Sequence, residues 1–199
     1  PAAAAGWALL LALAVFLPFR YIAPAYARPF IASDAAAIGQ PAHPVQITYG
    51  GKLALLGYDL TPSTAAPGQE VTLRLYWRVL SGMDQNYSVT TQLLSGEGLL
   101  GQDDSFPGQG RIATGRLQPG QYFSDTYTVQ VSPTAGPPLI ARVKVGLYDG
   151  QLAKLPALDA SGQELAEPIV GELPIQGSAT AATAEPPLAT FGSALQLLP

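Results

Sequence analysis

The sequence predicts an all-β chain: an immunoglobulin-like antiparallel β-sandwich of about seven strands, preceded by one transmembrane helix. Three observations lead there. Between residues 47 and 175, apolar and polar residues alternate at period two along several stretches, the mark of strands with one buried face. Gly, Pro, Asp and Ser fall between those stretches, where turns need their special backbone preferences. Ahead of them, Ala2 to Phe19 carry no charge and at about 1.5 Å per residue would reach roughly 27 Å, close to the depth of a bilayer core.

Residues 1–28 read as the last span of a membrane region. Trp7 lies within it, and Arg20, Tyr21, Tyr26 and Arg28 follow, as amphipathic anchors at a membrane–water interface do. Pro18 and Pro24 end or kink the helix. Two other readings stand beside this one. Ala25-Tyr26-Ala27 has the small-x-small form of a signal-peptide cleavage site, although no basic stretch precedes the apolar run; a buried helix would show the same apolar run. A first residue of Pro rather than Met leads us to expect a fragment or a processed product. Arg20 and Arg28, taken alone, favour a cytoplasmic exit.

Residues 29–46, rich in Pro and Ala, read as a linker, and 47–176 as the sandwich. A first strand is expected over 52–60. In "EVTLRLYWRV" (70–79) Val71, Leu73, Leu75, Trp77 and Val79 face a core, while Thr72, Arg74, Tyr76 and Arg78 face out. "YSVTTQL" (87–93) turns Tyr87, Val89 and Leu93 inward, and a short piece near 99–103 follows. "YFSDTYTVQV" (122–131) does the same with Phe123, Tyr127, Val129 and Val131. "LIARVKVGLY" (139–148) does so with Leu139, Ala141, Val143, Val145 and Leu147, and 167–175 supplies the last strand. "AAPGQE" (65–70) and "LQPGQY" (117–122) each set Pro-Gly before a strand, a type II turn signal. Half-exposed strands of this kind pair antiparallel and pack as two sheets.

Beyond the sandwich, 177–188 reads as a flexible linker. The final "ATFGSALQLLP" (189–199) echoes "ITYGGKLALLG" (47–57), with Thr48/Thr190, Gly50/Gly192, Leu53/Leu195, Leu55/Leu197 and Leu56/Leu198 identical. It is expected to be either the start of a second repeat or an edge strand added to the first domain.

Composition excludes several functions. The net charge is −4 and the few basic residues are scattered, so no basic footprint exists for a nucleic acid. Cysteine is absent, which removes disulfides, thiolate nucleophiles and Cys-type zinc sites. The single histidine, His43 between Ala42 and Pro44, builds no triad or metal cluster and reads as a solvated linker residue. Asp84, Asp103 and Asp104 are the acid–base or calcium candidates. "QDDSFPG" (102–108) nevertheless lacks the alternating acids of an EF-hand loop and reads as turn chemistry. No catalytic residue, metal or cofactor is expected in this chain. Asn86-Tyr87-Ser88 matches an N-glycosylation triplet.

Trp77, "MDQNYSV" (83–89), "QDDSFPG", Pro119-Gly120, Asp125, Tyr127, "VGLYD" (145–149) and "RYIAPAYARP" (20–29) together form a pattern. Across 1–175 it resembles the last membrane helix and following soluble domain of bacterial family 39 glycosyltransferases, those similar to dolichyl-phosphate-mannose–protein mannosyltransferases. The resemblance implies an extracytoplasmic β-domain, against the hint from Arg20 and Arg28, in a parent that transfers sugar from a polyprenyl-phosphate donor. The catalytic acid and donor-binding residues of such enzymes lie in earlier loops and helices, so none is carried over onto this chain.

The expected function is therefore that of a non-catalytic accessory sandwich, tethered to the lipid bilayer through residues 2–27, that positions a glycan or polypeptide acceptor or docks a partner. The alternative is a membrane-anchored adhesion, structural or glycan-binding module outside any enzyme; a free-standing hydrolase is a third reading. Arg74, Tyr76, Arg78, Arg142, Lys144 and Tyr148 are expected to share one outward sheet face, with Tyr76, Arg78 and Tyr148 as glycan or partner contacts. Cross-strand surface pairing is the plain alternative. Trp77, on the inward row, reads as core packing.

Overall fold

A computed structural model describes residues 6, 11, 13–17, 20, 31–96 and 98–177, and the backbone alone at 189–191 and 195–197. The expected span at 1–28 and the linker at 177–188 lie largely outside these residues. Among the described residues, no helix is long and apolar enough to cross a membrane.

The chain is mostly β. Its strands are β1 (Ile31–Ala32), β2 (His43–Tyr49), β3 (Leu53–Thr61), β4 (Glu70–Val79), β5 (Ser88–Ser95), β6 (Gly98–Ser105), β7 (Tyr122–Gln130), β8 (Leu139–Tyr148), β9 (Ala157–Leu158), β10 (Glu164–Leu165) and β11 (Ile169–Ile175). A larger antiparallel sheet has the order β1-β7-β4-β3-β2-β9-β10, and a smaller one the order β11-β8-β5-β6. A separate hairpin, β12 (Ala189–Phe191) with β13 (Leu195–Leu197), forms its own two-stranded sheet. The two main sheets thus hold seven and four strands, where a seven-stranded immunoglobulin sandwich divides four and three. The extra strands come from pieces too short for a period to show (β1, β9 and β10) and from β2, whose His43-Pro44 start looks like linker.

The inward rows hold as the alternation requires. Val71, Leu73, Leu75, Trp77 and Val79 of β4 are all buried, and they join Phe123 and Tyr127 of β7, Val89 and Leu93 of β5, and Val143, Val145 and Leu147 of β8 in one cluster between the sheets. Each such side chain contributes about 1.5–3 kcal/mol by leaving water. Trp77 sits at the centre, its ring 5.8 Å edge-on from Tyr49 and 6.3 Å from Phe123. The Tyr49 hydroxyl crosses the core to donate to the Val145 carbonyl at 2.9 Å, and burial pushes that phenol far above its ordinary pKa.

The segment expected as a linker at 29–46 is structured from residue 31 onward, which corrects that expectation. β1 pairs with the start of β7, Ile31 opposite Phe123. Asp34 then caps a single 3-10 turn, Ala35–Ile38, by accepting the Ala36 N–H at 3.0 Å, and Gly39, at φ +84°, ends it. Ala32 and Ile38 pack on Tyr76 together with Leu56 and Tyr122. Farther on, the Ala42 N–H and the Tyr76 hydroxyl both donate to the Asp59 carboxylate, at 2.7 and 2.6 Å. The strap exists because β4 is central in its sheet: an aromatic on its outer face stays out of water only if another segment covers it.

The two sheets meet most closely at one edge. A Cβ on Gly101 of β6 would lie 2.2 Å from the Gln130 carbonyl oxygen of β7, and backbone cannot give way there as a flexible side chain would. Gly101→Ala is therefore expected to cost about 1–3 kcal/mol, read as a lower urea midpoint. Gly82→Ala, where a Cβ meets nothing within 4 Å, is expected to leave that midpoint nearly unchanged.

Candidate functional site

The outward residues singled out in the sequence do not share a face. β4 belongs to the larger sheet and β8 to the smaller, so Arg74, Tyr76 and Arg78 lie on the opposite side of the core from Arg142, Lys144 and Tyr148. Tyr76 is only 3% exposed and, under the strap, presents no ring face to a ligand. Arg74 lies over the Tyr76 ring at 5.0 Å and donates to Ser124 Oγ at 2.9 Å. Arg78 is exposed and sits 5.8 Å from the Tyr122 ring centre. Burial, then the bond to Asp59, raises the Tyr76 phenol pKa. Burial also works to raise the Asp59 carboxyl, but the Ala42 N–H, the Tyr76 hydroxyl and the charges of Arg74 and His43 outweigh it and hold the pKa low.

Tyr148 has a different setting. On the outer face of the smaller sheet, Ser88, Thr90 and Gln92 of β5 stand opposite Tyr148, Gly146 and Lys144 of β8. On the other side of β5, Thr90 stands opposite Asp104, and Gln92 opposite Gln102, of β6. Gly146 occupies an outward position yet is buried, because the Tyr148 ring folds back over it. A Cβ there would lie 3.1 Å from Tyr148 Cε2 and 3.7 Å from its hydroxyl. The ring thereby forms part of a shallow cleft of about 290 Å³, lined also by Ser88, Thr90, Gln92, Asp104 and Leu152. Polar groups are strung along one side: Gln92 Nε2 donates to Gln102 Oε1, and Gln102 Nε2 to Asp104 Oδ2, each at 3.2 Å.

Leu152 completes the rim. It is 81% exposed and held at φ +63°, where a bulky side chain is an outlier. The turn that holds it is knotted by Asp149, whose Oδ1 accepts the N–H groups of Gln151 and Ala153 at 2.9 and 2.8 Å. Residues held in sparsely populated backbone conformations cluster at active sites, ligand clamps and switch regions. Sequence reasoning singled out Tyr148 but not Gln92, Gln102, Gly146 or Leu152, which line or flank this cleft. One signal was present: a glycine at an outward position inside a strand marks a close approach by another group.

Of the acidic candidates, Asp104 lines the cleft, whereas Asp84 and Asp103 hold the fold together. Asp84 pairs with Lys52 Nζ at 3.2 Å and accepts the Tyr87 hydroxyl at 3.1 Å. Asp103 accepts the Thr128 N–H at 3.1 Å, tying β6 to β7. Asp125, 6% exposed, lies on the inward row beside Tyr127 and accepts the Tyr127 hydroxyl and the Thr126 and Gly108 N–H groups. Burial raises the pKa of its carboxyl; those bonds pull it back in part, and the charge of Asp103 adds to the rise. Asn86 of the glycosylation triplet accepts the Gly115 N–H at 3.0 Å. His43 lies in β2 rather than in a linker, stacked 4.9 Å from the Tyr58 ring. No three His, Asp or Glu among the described residues are placed to hold a metal ion.

No known family profile matches the chain, and no curated protein matches it in sequence. Neither comparison therefore adds support to the family 39 resemblance. Among solved structures, the chain is similar to the C-terminal domain of Wzt, with TM-score 0.49 and 12% identity over 73% of this chain and 87% of that one. It is also similar to a family 123 glycoside hydrolase from Clostridium perfringens, with TM-score 0.36 and 10% identity over 67% of this chain and 27% of the hydrolase. At these scores neither likeness carries an argument about function.

Two outcomes follow from this geometry. Gly146→Ala is expected to push the Tyr148 ring outward by a few tenths of an ångström while the core stays intact, seen as altered Tyr148 ring resonances with unchanged methyl resonances from Val143 and Val145. Asp125 has a folded-state pKa raised above its unfolded value, so the folded state holds the proton to higher pH. Its contribution to stability is greatest at low pH and declines as pH rises from about 3.9 toward the folded pKa. Asp125→Asn is expected to remove that decline, flattening the profile of urea midpoint against pH on its acidic side.

Proposed function

We propose that this chain is a non-catalytic, glycan-binding β-sandwich that takes a short, uncharged saccharide segment in the Tyr148 cleft. The observation that carries this reading is the Tyr148 ring laid over Gly146 beside the Gln92–Gln102–Asp104 string. A sugar ring has an apolar C–H face and a rim of hydroxyls. An aromatic ring suits the first, and amides with a carboxylate suit the second, since together they donate and accept. A cleft of about 290 Å³ lies at the small end of ligand pockets, which fits one or two sugar units held with modest affinity. Asp104 is the one carboxylate among the lining residues, whereas glycoside hydrolysis uses a facing pair.

The apolar run from Ala2 to Phe19 supports a membrane tether for this module, and the resemblance across 1–175 supports an extracytoplasmic position. The same resemblance favours a more specific second reading, in which the sandwich follows the last span of a polyprenyl-phosphate-dependent glycosyltransferase and the cleft holds its acceptor. Labelling of exposed Lys154 by a membrane-impermeant amine reagent in intact cells checks the position. Lys154 is expected to react before lysis, and labelling only after lysis would contradict that placement.

The binding reading is tested by screening the purified chain on a saccharide array and titrating the best binder by calorimetry. Tyr148→Ala is expected to weaken binding at least tenfold, because losing a buried aromatic contact removes about 1.5–3 kcal/mol. Arg78→Ala, on the opposite face, is expected to leave binding unchanged. Undiminished affinity in a folded Tyr148→Ala variant, or no saccharide bound at millimolar concentration, would sink the reading.

A further inference from the structure

The hairpin β12–β13 repeats the hairpin β2–β3 in pairing as well as in sequence. Its register is Ala189↔Leu197, Thr190↔Gln196 and Phe191↔Leu195. In β2–β3 the register is Ile47↔Leu55, Thr48↔Ala54 and Tyr49↔Leu53. Each of these pairings in β2–β3 has its counterpart in β12–β13 at one constant offset of 142 residues, from 47 to 189 through 55 to 197.

The residues that are kept follow the physical demands of the first hairpin. At Gly50, φ is +57° and a Cβ would lie 2.8 Å from the Leu155 side chain, and the equivalent residue is again glycine, Gly192. At Gly51 a Cβ would meet nothing within 4 Å, and there Ser193 has entered. Tyr49, Leu53 and Leu55, each at most 1% exposed, correspond to Phe191, Leu195 and Leu197. Ala54, whose row faces away from the core, corresponds to Gln196. The match at three large buried positions and at the glycine is what packing in a like unit would select; Thr48 and Leu56 of the outward row also recur, as Thr190 and Leu198, and buried Ile47 is replaced by Ala189.

A two-stranded hairpin alone is marginal in water, and its pairing sets Ala189 opposite Leu197 and Phe191 opposite Leu195, with Thr190 opposite Gln196 between them. In the first sandwich the inward face of β2–β3 is closed by the smaller sheet, with β4 and β9 on either flank. That seat is filled by β2–β3 itself and has no vacancy for a duplicate. The chain also enters and leaves at opposite ends of the sandwich. β1 lies beside Tyr122 and Phe123, whereas Gly177 lies against Pro137, beyond the Ile175↔Leu139 end of the smaller sheet.

We infer that β12–β13 is the opening hairpin of a second sandwich of the same architecture, flanked there by its own equivalents of β4 and β9, so that the units string end to end. This inference stands apart from the glycan reading and does not rest on it.

The test is limited proteolysis with mass spectrometry on the protein expressed from its native gene. Cleavage within 178–188 is expected to release two resistant fragments, the second beginning in that stretch and about as long as the first sandwich. Leu195→Asp with Leu197→Asp is expected to abolish resistance of the second fragment and leave the first intact. A single resistant fragment with the hairpin digested overturns the inference, as does loss of resistance in the first sandwich on that double substitution. If the double variant does not express, hydrogen exchange in Gly101→Ala decides. Amides of 189–197 are expected to keep their protection when the first sandwich is loosened, and protection lost together with it overturns the inference.

Discussion

Strand β4 is buried along its inner face and, at Tyr76, on its outer face too, and much of the molecule follows from that. Leu75 and Trp77 face the core between the sheets, and Tyr76, pointing the other way, is shielded nearly as completely. A central strand with an aromatic on its outer face cannot leave that face wet, so the chain between residues 31 and 42 crosses the larger sheet. It is fastened there by Asp59, which accepts from the strap at Ala42 and from Tyr76 beneath it. With that region covered, the partly exposed Tyr148 ring lies across the core, on the smaller sheet.

The period-two alternation made the inward rows of β4, β5, β7 and β8 legible, down to Trp77 as packing. It did not reveal which sheet each strand joins. That choice is made by pairings between distant segments, such as β4 with β7 and β5 with β8, and a local period carries no trace of them. The two groups of outward residues consequently looked like one face. β1, β9 and β10 escaped because two residues cannot show a period, and β2 because its opening His43-Pro44 resembles linker. Asp125 sits at an inward position where the pattern expects an apolar side chain, and only its partners, Tyr127 and the Gly108 and Thr126 N–H groups, explain why it is tolerated there.

The Tyr148 cleft shows how small a sequence feature can define a surface. One absent side chain, at Gly146, lets a tyrosine lie back along its own strand, and an Asp149-knotted turn sets Leu152 beside it. The polar string on β5 and β6 needs only the antiparallel register to bring Gln92, Gln102 and Asp104 together. Rigid strands position the ring and the amides, so little ordering would remain to oppose binding of a ligand there. Asp103, an acid–base candidate from the sequence, instead joins Asp125 in clasping β6, β7 and the loop at 106–112 together.

A proton–nitrogen NMR titration of the described sandwich, residues 31–177, with an uncharged oligosaccharide that it binds tests the central claim most directly. The account requires the largest shifts at the amides of Thr90, Gln92, Gly146, Tyr148 and Leu152, with those of Arg74, Tyr76 and Arg78 unmoved. Shifts centred on the larger sheet around Arg78 and Tyr122 would contradict it.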